Sequence, residues 1–170
     1  MSSPGNTRTE VGREEMSERA IDIEKLSFEI IDAEIGSHGY NELEWPIVRR
    51  VIHATADFDF ARKGKIIFHN NPIDSAFNAI KNKCNIVTDV DMVLSALNKK
   101  SIADLGLKSA CYISDKTLSD NPVGFVSASE SKDELRKIDT PFISNVGRKG
   151  GSPAAASIVN AIMLLYKTKS

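Results

Sequence analysis

From Lys65 onward the chain alternates short β-prone runs with helical stretches, and this rhythm restricts its possible folds more than any other feature. Lys65 to His69 (KIIFH) is a β-prone run, and Asn71-Pro72 after it is positioned to cap and start a helix through Lys81. Ile86-Val87-Thr88 reads as a short buried strand before a helix from Val90 to Asn98, and Ala110 to Ile113 reads as another strand. Val123 to Val126 is a third, followed by a helix over 132–137 that Ser129 or Ser131 would cap. Phe142 to Val146 is a fourth, and a glycine-rich turn then opens a long Ala-rich helix ending near Tyr166. Such alternation predicts an α/β fold, an open and mainly parallel sheet covered by helices on both faces.

One join breaks the rhythm. A parallel crossover needs a dozen or more residues, yet only Ser114 to Asn121 separate the strand at Cys111 from the strand at Val123. Either those two strands pair antiparallel, or one crossover is missing after Asp115.

Upstream of the rhythm, Ile23, Leu26, Ile30, Ile31 and Ile35 follow helical spacing from Glu18, with Gly36 as a stop. A second helix starts near Leu43, tolerates Pro46 in its first turn, and carries Ile47, Val48, Val51 and Ile52 toward His53. Residues 1–17 mix Ser, Pro, Gly, Thr and charges without an apolar core, which reads as a disordered tail and not a secretory signal. Residues 18–170 are expected to form a single α/β domain, large enough to bury roughly 70% of its unfolded surface.

Lys and Arg total 22 against 23 Asp and Glu, so no whole-protein basic field exists to gather nucleic acid. Cys84 and Cys111 match no metal-ligand spacing and suit a reducing, cytoplasmic compartment. The densest apolar stretch, Ala161 to Tyr166, is too short for a membrane helix, and no membrane association is expected.

Four places could carry chemistry. On the second helix Arg50 and His53 are three apart and share a face, while Val51 and Ile52 point toward the core. A cation beside an imidazole can gather a carboxylate next to a proton donor, and imidazole exchanges protons near neutral pH without large tuning. A purely structural helix-end histidine fits the same spacing. His38, in a Gly-Ser-His-Gly turn, and His69, beside an Asn-Asn-Pro corner, read as surface residues; no histidine pair has ligand spacing, so no protein-bound metal is expected. Gly147-Arg148-Lys149-Gly150-Gly151-Ser152 joins a strand to a helix and combines permissive glycines with two cations, an anion cradle or simply a tight turn. It matches neither GxxxxGK[ST] nor GxGxxG. Thr88-Asp89 and Ser127 to Lys132 follow strand ends, where open parallel sheets collect ligands, although helix capping explains each of them alone.

Arg50-Val-Ile-His-Ala-Thr-Ala-Asp57, Ile86-Val-Thr-Asp-Val-Asp-Met-Val93, Pro122-Val-Gly-Phe-Val-Ser-Ala-Ser-Glu-Ser-Lys132 and Gly147-Arg-Lys-Gly-Gly-Ser152 occur in that order. Together they closely resemble the precorrin-8X methylmutase family of cobalamin biosynthesis. The likeness also takes in Ser27-Phe-Glu-Ile-Ile31 and Cys111-Tyr-Ile-Ser-Asp115, and so spans the chain from about Ile23 to Leu165.

The resemblance implies a cofactor-free isomerase that moves a methyl group from C11 to C12 of a corrin precursor, giving hydrogenobyrinic acid or its cobalt-containing equivalent. The family's catalytic histidine maps onto His53, as proton donor and acceptor. The substrate would be a flat ring fringed with carboxylates, for which Arg50, Arg148 and Lys149 are expected as ionic contacts. Ser27, Thr88, Asp89, Ser129 and Ser131 are expected to offer hydrogen bonds, and Glu130 a structural role. A homodimer is also implied. This chain departs from the family between Asp115 and Pro122: members carry a few dozen residues there, with a Thr-Arg near a helix start and a Gly-Asn-Ala-Pro-Thr-Ala element, where this chain has only Lys116 to Asn121. A non-catalytic tetrapyrrole-binding relative is the alternative that this departure favours.

Overall fold

The computed structural model describes residues 7–112 and 128–169, in two compact units, one up to Gly36 and one from Ser37. In the first unit α1 (Thr7–Ile35) begins N-terminal to the Glu18 start that periodicity suggests. Gly36, at φ +63°, takes the left-handed cap position and its N–H bonds the Asp32 carbonyl at 3.0 Å, which ends the helix.

In the second unit α2 (Glu44–Thr55) is started by a reciprocal cap. The Asn41 side-chain oxygen accepts from the N–H groups of Leu43 and Glu44, both at 2.9 Å, while the Glu44 carboxylate accepts from the Asn41 N–H at 3.1 Å. Pro46 falls in the first turn, where no helical partner is lost. Ile47, Val48, Val51 and Ile52 are at most 1% exposed, so this face of α2 is fixed in the core. Thr55 is the last helical residue because Ala56 turns left-handed at φ +52°.

A 3₁₀ turn (Phe58–Ala61) leads to β1 (Ile66–His69), then α3 (Pro72–Lys81), β2 (Ile86–Thr88), α4 (Asp91–Ala96), α5 (Lys99–Asp104) and β3 (Ser109–Cys111). After the undescribed segment come α6 (Ala128–Leu135), β4 (Phe142–Asn145) and α7 (Ser152–Lys169). Asn71 helps to start α3 by its left-handed backbone, φ 51°, and not by the side-chain cap expected of it. The helix expected over Val90–Asn98 forms as α4, and an unanticipated helix, α5, follows it: Asn98 restarts the chain by accepting from the Ser101 N–H at 2.9 Å, and Asn160 of α7 bonds both the Asn98 N–H and the Ala96 carbonyl. Two opposite-facing amide bonds from another helix hold that break open.

The α/β class holds, and the described strands form two ladders. β2 and β3 pair parallel, Thr88 opposite Cys111, as a βαβ-type connection requires. β1 and β4 pair antiparallel, Ile66 opposite Asn145 and His69 opposite Phe142, where the rhythm alone suggested parallel pairing. The expected strand at 123–126, and with it the outcome of the short join, lies outside the described residues.

The core of this unit is built on α7. Ile47 of α2, Ile73 and Ile80 of α3, Val93 of α4 and Ile102 of α5 cluster with Ala156, Ala161, Ile162 and Met163. Small side chains at Ala154, Ala156 and Ala161 allow neighbouring backbones to approach α7 closely. The expected Ala-rich helix therefore forms, and its composition is what lets four other helices pack on it.

Candidate functional site

The buried face of α2 leaves its opposite face to solvent. His53, in the last turn, lies there exposed, with Arg50 half-buried one turn earlier. Both engage other groups of the chain. The helical turn that carries His53 is fixed by the four aliphatic side chains on its other face and by the left-handed stop at Ala56.

The turn after α2 is fixed by its own polar groups. Asp57 caps the 3₁₀ turn, its carboxylate accepting from the Asp59 N–H at 3.1 Å. From behind, the half-buried Tyr40 hydroxyl sits 3.1 Å from the Phe60 carbonyl and 3.0 Å from that of Arg62, and accepts from the Ile66 N–H at 3.3 Å. Burial pushes this phenol above its ordinary value.

The glycine-rich turn meets the same place. The Lys149 ammonium reaches the Asp57 carboxylate at 2.8 Å and that of Asp59 at 2.6 Å. These bonds hold the Asp59 carboxyl below the usual carboxylate range and raise the Lys149 ammonium above the usual lysine range. The Lys149 backbone is held too: its carbonyl accepts from the Lys132 ammonium of α6 at 3.0 Å and from the Asn145 amide of β4. Lys132 also donates to the Gly147 carbonyl at 2.9 Å, and its partial burial, with Arg136 nearby, lowers its proton affinity. Glycine suits position 150 in this packing, because at φ +119° a Cβ there would stand 2.9 Å from the Asn145 side-chain oxygen.

The expected site residues therefore divide. The end of α2 with His53 and Arg50, and the turn with Arg148 and Lys149, are brought together through Asp57 and Asp59. Ser129 and Ser131 lie within α6, the helix that clamps this turn, and neither is its N-cap, since α6 already starts at Ala128. Glu130 is exposed on that helix. Thr88 is buried on β2, 3.4 Å from the Ala110 carbonyl of β3, and Asp89 is exposed beyond it; the bonds around Lys149 do not extend to these two. Ser27, in the first unit, bonds the Ile23 carbonyl of its own helix at 2.7 Å. Asp59, Asn145 and Tyr40 were not anticipated. A pair of carboxylates two apart just after the helix was the available signal for the first.

Neither remaining histidine is the simple surface group expected. His38 stacks on Trp45 with centroids 3.8 Å apart, and His69 stacks on Phe142 at 4.8 Å. Among the described residues no three His, Cys, Asp or Glu gather as a metal-binding group, and no helix is long and apolar enough to cross a membrane.

A family model described as precorrin-8X methylmutase matches residues 22–121 and 119–165. The cobalt-precorrin-8 methylmutase of Leptospira interrogans is 35% identical over 205 aligned positions, covering 84% of this chain and 92% of that protein. Its counterpart from Priestia megaterium is 33% identical, covering 84% and 87%. The structure of a precorrin-8X methyl mutase from Thermus thermophilus superposes with a TM-score of 0.75 at 28% identity, over 86% of this chain and 98% of that one. Since 84% of 170 residues is about 143, about 62 of the 205 positions aligned with the Leptospira protein have no counterpart here. The two matched segments of the family model meet at 119–121, the same short join that breaks the β-then-α rhythm. His53, Asp57, Lys132 and Lys149 all lie on the two sides of that join, within the matched segments. With match, relatives and superposition agreeing, the chain belongs to the precorrin-8X methylmutase family and is an intramolecular isomerase of cobalamin biosynthesis.

Proposed function

We propose that the chain moves a methyl group from C11 to C12 of precorrin-8X, or of cobalt-precorrin-8, with His53 exchanging a proton with the macrocycle. The C11–methyl bond breaks as the C12–methyl bond forms, so composition and oxidation level are unchanged and the protein need only hold the ring and move a proton. Positioning and electrostatics suffice for such a step, without a nucleophile. The single observation that carries this reading is the placement of His53. It is exposed in the last turn of a helix locked by Ile47, Val48, Val51 and Ile52, four residues before the Asp57 carboxylate that Lys149 of the glycine-rich turn bonds.

Within the proposal Arg50 and Arg148 recognise ring carboxylates, and Ser129, Ser131 and Asp89 offer hydrogen bonds. Thr88 and Ser27 serve first as hydrogen-bonded members of their own elements. Residues 18–170 form the working domain, and residues 1–17 are a dispensable tail. The protein works in the cytoplasm as a homodimer, which sedimentation of the purified protein tests. The decisive experiment is His53→Ala: conversion of precorrin-8X is expected to be lost while the variant still binds hydrogenobyrinic acid, followed by absorbance. Unchanged turnover refutes the proton role.

A further inference from the structure

Lys149 stands where three elements converge. Its side chain bonds the two carboxylates that follow α2, and its carbonyl is held by Lys132 of α6 and by Asn145 of β4. Arg62, 3.3 Å from the other oxygen of Asp59, completes a cluster of two carboxylates and two cations whose charges cancel. Two of the three ammonium donor directions of Lys149 are thereby used, and its charge is already balanced. We infer that Lys149 is a positioning residue, one that together with Arg62 neutralises Asp57 and Asp59 and clips the glycine-rich turn to the end of the helix carrying His53. This rests on the corrinoid reading above, because the gain from cancelling two acidic charges arises only for a ligand that is itself polyanionic.

The inference separates cleanly from a direct contact between Lys149 and a substrate carboxylate. In Lys149→Met only Arg62 remains against the two carboxylates, one negative charge is left uncompensated beside the site, and affinity for hydrogenobyrinic acid is expected to fall about tenfold at low ionic strength. The deficit should shrink as salt is added and repulsion is screened. In the triple variant Asp57→Asn/Asp59→Asn/Lys149→Met no carboxylate remains to repel the ligand and Arg62 leaves one positive charge, so affinity is expected to return to within about threefold of wild type or to exceed it.

Equal losses in the single and triple variants would overturn the inference in favour of direct contact, and an unchanged single variant would overturn it outright. If Lys149→Met melts below the assay temperature, the double variant Asp57→Asn/Asp59→Asn keeps both the ammonium and its amide acceptors. It is expected to bind at least as tightly as wild type, and weaker binding contradicts the inference. Failure of the wild-type protein to bind the corrinoid refutes the functional reading and this inference with it; binding by wild type with the wrong variant pattern refutes the inference alone.

Discussion

Replacing Gly150 by alanine puts a number on how tightly the glycine-rich turn is built. The new methyl group would stand 2.9 Å from the Asn145 side-chain oxygen, closer than carbon and oxygen tolerate. Asn145 cannot swing away freely, because its amide nitrogen bonds the Lys149 carbonyl. The backbone adds its own penalty: φ +119° lies well outside the left-handed helical region, and a non-glycine residue there costs about 1–3 kcal/mol. Loss of the Asn145 bond adds about 1 kcal/mol, for a combined destabilisation of about 2–4 kcal/mol. At about 2–4 °C per kcal/mol for a chain of this size, the melting temperature should fall by roughly 5–15 °C. Gly147→Ala is the internal control. Its φ of +83° is also positive but nothing lies within 4 Å of the added Cβ, so strain alone acts and the cost should be about 1–2 kcal/mol. Thermal and urea melts of both variants, with Asn145→Ala and Gly150→Ala/Asn145→Ala, form a cycle in which the double variant should cost less than the sum of its parts. Equal destabilisation by the two glycine replacements, or strict additivity in the cycle, would show that Gly150 and Asn145 are not packed as described.

Ile52→Ala, at a position 1% exposed behind His53, should lower stability by about 2–5 kcal/mol in urea melts, and a loss well under 1 kcal/mol would mean that this face of α2 is not in the core. The stability difference between wild type and Asp59→Asn should be present at neutral pH. Since Lys149 depresses the folded carboxyl, that difference should disappear as pH falls from the ordinary carboxylate range through the lower folded value. It should also disappear in strong alkali, as pH rises through the raised folded value of Lys149; a difference independent of pH contradicts the ion pair. A chain beginning at residue 18 should melt within about 3 °C of the full chain, and a fall beyond about 10 °C would place residues 1–17 within the folded domain.

Much of the site was legible from local patterns. Arg50 and His53 share the exposed side of α2 because Ile47, Val48, Val51 and Ile52 fill the other side, and helical periodicity alone orders those two sets. The glycine-rich turn opens α7 as its Gly-Gly-Ser-Pro spelling implies, and Pro72 sits at the start of α3. Side chains that bridge distant segments were not legible. Lys149 reads as a free cation in a loop, and only folding brings it onto Asp57 and Asp59; Lys132 reads as an ordinary helix lysine, and only the return of the chain after β4 sets two carbonyls against it.

The same division applies to the protein as a whole. Periodicity, turn residues and motif order, all properties of neighbours along the chain, establish the α/β class, the elements around the site and the family. The antiparallel pairing of β1 with β4, the break between α4 and α5 that Asn160 of α7 bridges, and the clip between the glycine-rich turn and the end of α2 depend on contacts between segments far apart in sequence. Backbone propensity and side-chain period act over a few residues, whereas these features are chosen by which surfaces meet once the core around α7 has closed.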